Sequence, residues 1–143
     1  MNISSKTRCG LRILLQLAIE GTGGKSVKGR AIAKRQNISE VYLQQLMLVL
    51  RKFDLVKATR GCHGGYILNA SPEDISLLDV LDAFEGETMF TDPEAENGSL
   101  VGSVYGNTAA AWRSLTEQFV IEANRLTLKE IISLRENRQE YVI

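Results

Sequence analysis

Three side chains in this sequence could carry metal, redox or acid–base chemistry: Cys9, Cys62 and His63. An iron–sulfur cluster or a structural zinc site needs four protein ligands, so three donors scattered over two parts of the chain predict neither a metal site nor a cofactor. Each cysteine lies among basic residues, which favour the reactive thiolate. Two interpretations stay open for each thiol: an oxidant sensor, or a small residue that is buried in a helix (position 9) or placed in a turn (position 62).

Residues 21–26 have the sequence GTGGKS, which is similar to a nucleotide-binding loop. A P-loop, however, has a glycine five residues before its Gly-Lys-Ser, and Ile19 occupies that position here. The segment also follows a predicted helix, whereas a P-loop follows a strand. Since the single histidine forms no Ser/His/Asp arrangement and no carboxylate pair has a site around it, the sequence predicts a protein that is not an enzyme.

The charged residues are distributed unevenly along the 143 residues, although the net charge is zero. Residues 1–60 hold 12 of the 17 Lys and Arg but three of the 17 Asp and Glu, which gives this part +9 and residues 61–143 −9. A basic half favours a polyanionic partner. The composition is that of one globular domain, and the chain shows neither a signal peptide nor an apolar stretch that could span a bilayer. We therefore expect a cytoplasmic protein.

Apolar residues recur at i, i+3, i+4 and i+7 in two of the segments that we expect to be helical. The predicted apolar stripes are Leu11, Leu14, Leu15 and Ala18 in the first helix and Leu43, Leu46, Met47 and Leu50 in the third. A third helix begins after Ser39, which is a favourable N-cap. Residues 54–60 and 66–68 read as two strands of a hairpin. The other predicted helices cover residues 6–20, 28–36, 76–84 and 108–126, and a last helix begins at residue 127.

Two short helices joined by a tight turn and followed by a hairpin are the parts of a winged helix-turn-helix. The third helix presents Tyr42, Gln44 and Gln45 opposite its apolar side, and glutamine can form paired hydrogen bonds to adenine. Arg60, at the tip of the hairpin, could enter a narrow minor groove. A trihelical unit that only binds proteins is the alternative, and the basic half favours DNA. The basic residues expected to neutralise flanking phosphates are Lys6, Arg8, Lys28, Arg30, Lys34 and Arg35.

Five sequence segments, taken together, indicate a resemblance to a known protein family. They are SKTR at 5–8, SEVYLQQL at 39–46, LRK at 50–52, LVKATRGCHGGYIL at 55–68 and ISLLDV at 75–80. With these segments the chain resembles the Rrf2 family of dimeric bacterial transcription regulators, which includes IscR-like proteins with an iron–sulfur cluster and CymR-like repressors of cysteine metabolism. The resemblance implies a homodimer that is joined by a long helix and binds double-stranded DNA at a palindromic operator.

The resemblance also implies roles for individual residues. Tyr42 and Gln44 would face the bases, and Arg60 would reach the minor groove. The predicted DNA-binding residues are Lys6, Arg8, Lys28, Ser39, Tyr42, Gln44, Gln45, Arg60, Gly64 and Gly65. The predicted dimer contacts are Trp112, Leu115, Phe119, Ala123 and Leu126.

The chain departs from the IscR-like pattern at several positions. The cluster-binding members carry three cysteines in the loop before the dimer helix, whereas residues 85–106 contain neither Cys nor His. Ala109 stands where those proteins have histidine, so we predict no cluster. Gln44 replaces a glutamate, and therefore the base preference of IscR is not transferred. Cys9 stands where the family commonly has tyrosine, and Asp54 where it commonly has glycine.

The chain ends in Tyr141-Val142-Ile143, after the charged segment 135–140. This end is similar to the isoleucine-ended tails with which serine acetyltransferases dock into cysteine synthase (O-acetylserine sulfhydrylase), an enzyme with which CymR also acts. Backbone donors of the enzyme would capture the terminal carboxylate while Ile143 fills a pocket. The alternative is a tail that packs on its own dimer.

The sequence thus predicts a mainly α fold with a small β-hairpin. Residues 1–84 would form the winged helix-turn-helix domain, residues 85–107 a loop, and residues 108–143 the dimerisation helix with a C-terminal helix and tail. The predicted function is that of a cluster-free repressor, with cysteine or sulfur metabolism as its field. Two alternatives stay open: a thiol-sensing regulator that uses Cys9 or Cys62, and an interaction module that regulates cysteine synthase through the tail.

Overall fold

The computed structural model describes residues 2–86 and 104–139. Within these ranges the chain forms six α-helices and one two-stranded antiparallel sheet, which confirms the predicted mainly α fold with a β-hairpin. A short 3-10 turn at Thr22–Gly24 follows the first helix. The helices are α1 (Ser5–Glu20), α2 (Gly29–Gln36), α3 (Glu40–Lys52), α4 (Leu77–Phe84), α5 (Val104–Arg125) and α6 (Leu128–Gln139), and the strands are β1 (Val56–Thr59) and β2 (Gly65–Leu68).

The core lies where α1, α2 and α3 pack together. On α3 the predicted apolar side is buried, since Leu43, Leu46, Met47 and Leu50 are each at most 2% exposed. Burying one such side chain contributes roughly 1.5–3 kcal/mol, so the core holds α3 in one rotational setting about its axis. That setting decides which of its side chains face outward.

The apolar side of α1 differs from the stripe that spacing alone indicates. Leu11, Leu15 and Ala18 are only partly buried, while Thr7 and Gln16 are buried. The difference arises because α1 is contacted by α4 and α6 as well as by α2 and α3. The fully buried apolar residues of α1 are Cys9, Ile13, Leu14 and Leu17.

Three of the helices have a serine at the N-cap, and its side-chain hydroxyl accepts a backbone hydrogen bond. Ser4 Oγ accepts a hydrogen bond from the Thr7 N–H at 3.2 Å, and Ser39 Oγ accepts one from the Tyr42 N–H at 3.0 Å. Ser76 forms a complete capping box with Asp79, because the Ser76 N–H also donates to the Asp79 carboxylate at 2.8 Å. These caps satisfy N–H groups that have no partner within their helix.

The two helices of the helix-turn-helix end in the same way, on a residue with a left-handed backbone. Asn37 has φ +55° after α2, and Asp54 has φ +56° after α3. After α3, the Asp54 N–H donates to the Arg51 carbonyl at 3.0 Å and the Leu55 N–H donates to the Leu50 carbonyl at 2.9 Å. This pair of bonds satisfies the last carbonyls of the helix and turns the chain into β1.

The hairpin pairs Val56 with Leu68 at its base and Thr59 with Gly65 near its tip. It is also attached to the segment before α2. The Val27 N–H donates to the Tyr66 carbonyl at 3.0 Å, and the Tyr66 N–H donates to the Val27 carbonyl at 2.8 Å. The hairpin is therefore fixed to the start of the helix-turn-helix.

The C-terminal helices return to the core of the N-terminal half. Leu128, the first residue of α6, is fully buried in that core, and its N–H donates to the Ile75 carbonyl at 2.9 Å. Helix α5 begins at Val104, four residues before the predicted start, because the helix continues through Gly106 and Asn107. The end of the predicted loop is thus helical, while residues 87–103 lie outside the described residues.

Candidate nucleic-acid interface

The outward side of α3 carries polar, basic and apolar side chains. Gln44 and Gln45 are both exposed, opposite the buried leucines. Tyr42 is half-buried and packs against the core. Because each helical residue turns by about 100°, Tyr42 and Gln44 lie about 160° apart around the axis. The structure therefore brings Gln44 and Gln45 together on the outward side and places Tyr42 at its edge.

Two apolar residues on this side were not expected from the sequence. Val41 and Leu48 are 66% and 69% exposed, although the pattern assigned only polar and basic residues to the outward side. A helical wheel centred on the buried leucines would have found both of them. At the start of the helix, the Ser39 hydroxyl acts as the N-cap.

Two of the basic residues on α2 are paired with carboxylates. Arg30 Nε lies 3.3 Å from Glu40 Oε1 on α3, and Arg35 Nη2 lies 2.6 Å from Glu20 Oε1 on α1. The hydrogen bond from Arg35 lowers the pKa of Glu20. Lys28, the residue before α2, is exposed. The sequence could not indicate these pairs, because each partner comes from a different helix.

The tip of the hairpin presents Arg60 to solvent, followed by a turn in which Gly61 has φ +101°. Gly64 and Gly65, which the sequence predicts as DNA-binding residues, lie close to other backbone atoms. A Cβ on Gly64 would lie 2.6 Å from the Thr59 carbonyl oxygen, and a Cβ on Gly65 would overlap the carbonyl of Val27. Both glycines therefore have a packing reason for their identity.

The first turn of α1 holds Lys6 and Arg8, which are both exposed. This turn is attached to the end of α4 through Glu85. The Glu85 carboxylate accepts a hydrogen bond from the Thr7 hydroxyl at 2.5 Å and another from the Ser4 N–H at 2.9 Å. These bonds, that from Thr7 above all, lower the pKa of Glu85. Lys6 and Arg8 therefore lie on the first turn of α1, which hydrogen bonds hold against the end of α4.

A comparison with protein-family models decides the identity of this fold. The model described as Rrf2, an iron-dependent transcriptional regulator, matches residues 3–134. The chain belongs to the Rrf2 family. It is therefore a transcriptional regulator with the winged-helix fold of that family, and it binds DNA.

The relatives and solved structures to which this Rrf2 regulator is similar include CymR and IscR. CymR of Bacillus subtilis is 45% identical over 87 residues, which cover 60% of this chain and 62% of CymR. The solved structure of B. subtilis CymR, described as the global cysteine regulator, has a TM-score of 0.72 at 30% identity, with 94% of this chain and 98% of that chain covered. The structure of T. potens IscR has a TM-score of 0.71 at 30% identity and covers 100% and 93%.

The donors of this Rrf2 regulator do not fit an iron–sulfur cluster, although the family description names iron. Cys9 is 2% exposed inside the core, whereas Cys62 is exposed on the hairpin. The whole chain offers two cysteines and one histidine, and a cluster needs four ligands. Within residues 2–86 and 104–139, no group of three or more His, Cys, Asp and Glu residues could hold a metal ion.

The predicted dimer contacts of this Rrf2 regulator divide into two parts along α5. Trp112 and Leu115 are 55% and 52% exposed, whereas Ala123 is buried and Phe119 and Leu126 are half-buried. The apolar stripe is thus covered by the same chain at its C-terminal end and uncovered at its N-terminal end. No helix in the described part of the chain is long and apolar enough to cross a membrane.

Proposed function

We propose that this Rrf2 regulator is a cluster-free homodimeric repressor that binds a palindromic operator through α3 and the hairpin. The observation that carries the proposal is the rotational setting of α3. Its buried leucines fix the helix to the core, and Gln44 and Gln45 consequently stand free on the other side. Glutamine amides can donate to and accept from an adenine edge at the same time, so this side can read A·T pairs in a major groove.

The surroundings of these glutamines support binding to a polyanion. Lys28 immediately precedes α2 and Arg60 immediately follows β1, and both are exposed, as are Lys6 and Arg8 on α1. Contacts from such cations to phosphates position a protein on DNA and make its affinity depend on salt. We assign the recognition unit to residues 1–84 and the dimer contact to residues 108–143.

The first test is selection of binding sites from random double-stranded oligonucleotides. We expect an inverted repeat whose half-sites lie about 10 base pairs apart, or a multiple of that spacing, because two protomers would face successive grooves. Gln44→Ala and Gln45→Ala should each weaken binding by about 1–3 kcal/mol and relax the preference for one base. Asp74→Ala, at an exposed residue between the hairpin and α4, is the control and should bind normally. Salt-insensitive or absent DNA binding by the wild type would reject the proposal and favour an interaction module.

The second test concerns the homodimer. Trp112 and Leu115 form the uncovered part of the α5 stripe, and a second copy of α5 would bury them. Leu115→Asp should therefore shift the protein from dimer to monomer in sedimentation equilibrium. Ser114→Asp adds the same charge at the neighbouring exposed position and should leave the dimer intact. Equal behaviour of the two variants would remove α5 from the interface.

The similarity to CymR supports a role in cysteine or sulfur metabolism, and with it the predicted contact with cysteine synthase. Tyr141, Val142 and Ile143 lie outside the described residues, so this proposal rests on sequence similarity alone. A pull-down with cysteine synthase should recover the full chain and lose the chain that lacks Ile143. Equal, negligible recovery of both chains would end the proposal of a docking tail.

A thiol-sensing role is the second candidate, and the exposure of the two cysteines favours Cys62 over Cys9. Cys62 is open to solvent beside Arg60 and His63, whereas Cys9 is enclosed by the core. If oxidation regulates DNA binding, peroxide should weaken the binding of the wild type and leave Cys62→Ser unaffected. A response that survives in Cys62→Ser would exclude this thiol as the sensor.

A further inference from the structure

Val41 is an apolar residue at the centre of the outward side of α3. Its side chain is 66% exposed, in the first turn of the helix and directly opposite the buried leucines. Leu48 is the second exposed apolar residue on this side, two turns further along. Exposed apolar area on a helix of a small protein costs free energy in water, so an occupant that covers Val41 would recover it.

The position of Val41 beside the two glutamines indicates which groups a molecule bound to this side of α3 must present. Val41 precedes Gln44 by three residues and Gln45 by four, and side chains at these spacings are neighbours on a helix surface. A molecule that meets both glutamine amides therefore also meets the Val41 methyl groups. Residues near the N-terminus of a recognition helix are those that approach base edges.

The charges on α3 favour DNA over an apolar protein surface as the occupant. Arg51 and Lys52 are exposed at the C-terminal end of the helix. The acidic residue of its first turn, Glu40, has its carboxylate 3.3 Å from Arg30 Nε and is thereby partly neutralised. A polar and cationic surface with an exposed valine beside its two glutamines matches a major groove, in which thymine alone displays a methyl group.

We propose that Val41 is a specificity-determining residue that recognises thymine by packing against its 5-methyl group. The proposal rests on the DNA binding proposed above and deepens it. Glutamine amides would select adenine by hydrogen bonding, and the neighbouring valine would select thymine by contact. Each operator half-site should therefore contain a thymine next to the base pairs that Gln44 and Gln45 contact.

The test replaces thymine by uracil at single positions of the selected operator, which removes the methyl group and keeps every hydrogen-bonding atom. We expect wild-type affinity to fall about three- to fivefold at one thymine per half-site, the effect of uncovering one methyl group. Val41→Ala should bind thymine DNA less tightly by a similar factor and should not distinguish it from uracil DNA. Alanine favours a helix more than valine does, so this variant should fold normally.

Leu48→Ala is the matched control, because it removes an equally exposed apolar side chain from the same helix at a position further from its N-terminus. This variant should respond to uracil as the wild type does. Three results would overturn the assignment: a wild type that is indifferent to uracil at every position, a uracil response that Val41→Ala retains, or a response that Leu48→Ala loses. Wild-type protein that binds no operator at all would instead reject the proposed function, together with the inference that depends on it.

Discussion

Asp54 is the residue at which a single substitution should make this protein more stable. It follows α3 with φ +56°, a conformation that glycine adopts freely and that other residues adopt at a cost. Its backbone is held on both sides, since its N–H donates to Arg51 and its carbonyl accepts a hydrogen bond from the Asn69 side chain at 3.0 Å. The conformation is therefore imposed by the fold, and Asp54→Gly should keep it while removing its cost.

Three contributions set the size of the effect. A left-handed conformation costs an ordinary residue roughly 1–2 kcal/mol, and less for aspartate, whose short polar side chain can hydrogen-bond locally. Removing a carboxylate from the negative end of a helix adds about 0.3–1 kcal/mol. The greater freedom of glycine in the unfolded chain subtracts about 0.4–1 kcal/mol. Asp54→Gly should thus raise the free energy of unfolding by about 0.5–1 kcal/mol, which corresponds to roughly 2–4 °C in Tm.

Urea unfolding at pH 7, followed by circular dichroism at one fixed protomer concentration, measures this difference. Two further variants separate its causes. Asp54→Asn removes the charge alone and should give a smaller gain, whereas Asp54→Ala keeps a Cβ without a polar group and should lose stability. The reasoning would be refuted if Asp54→Ala were as stable as Asp54→Gly, because the backbone conformation would then not matter.

Three further predictions concern the interface and its supports. Glu40→Gln should release Arg30 for a phosphate and steepen the plot of log Kd against log salt by about 0.9, measured by fluorescence anisotropy; an unchanged slope would show that Arg30 meets no phosphate. Glu85→Gln should destabilise the protein at pH 7, and because the pKa of Glu85 is lowered in the folded state, the difference in urea midpoint from the wild type should shrink as the pH falls below about 4.5. A constant difference down to pH 3 would contradict the role of its charge. Gly65→Ala should cost about 1–3 kcal/mol in thermal unfolding, since its Cβ would overlap the Val27 carbonyl, and an unchanged Tm would mean that the hairpin can shift.

Sequence patterns predict α3 well because one side of it is buried and the other is not. Leu43 and Leu50 stand at the expected spacing, and both are buried. The same pattern fails on α1, where α4 and α6 are further packing partners: Thr7 and Gln16 are buried, and Leu11 is only partly buried. The start of α5 was missed because Gly106 usually interrupts a helix, whereas here the helix continues through it. Spacing predicts burial where one side of a helix is covered and the opposite side faces solvent, as on α3.

The candidate site also contains features that the sequence predicts and features that it does not. Exposure of Gln44 and Gln45 follows from the burial pattern of their own helix, so the sequence sufficed. The pairing of Arg30 with Glu40 depends on how two helices cross, and no local signal carries that information. Asp54 is an intermediate case: the family resemblance marks it as unusual for a position that commonly holds glycine, and its φ of +56° gives the reason.

The C-terminal end of α5 connects its uncovered stripe to the DNA-binding half. At its C-terminal end, the Leu126 carbonyl accepts a hydrogen bond from the N–H of Leu77 at 2.7 Å, and the next helix places Leu128 in the core beneath α1. In its middle, Trp112 and Leu115 are exposed, where a second copy could cover them. A helix that is fixed at its C-terminal end and paired along its middle would transmit the geometry of the dimer to the core that holds α3. The spacing between the two recognition helices would then be set by α5, and a change in how two copies of α5 pack would alter which operators both helices can reach together.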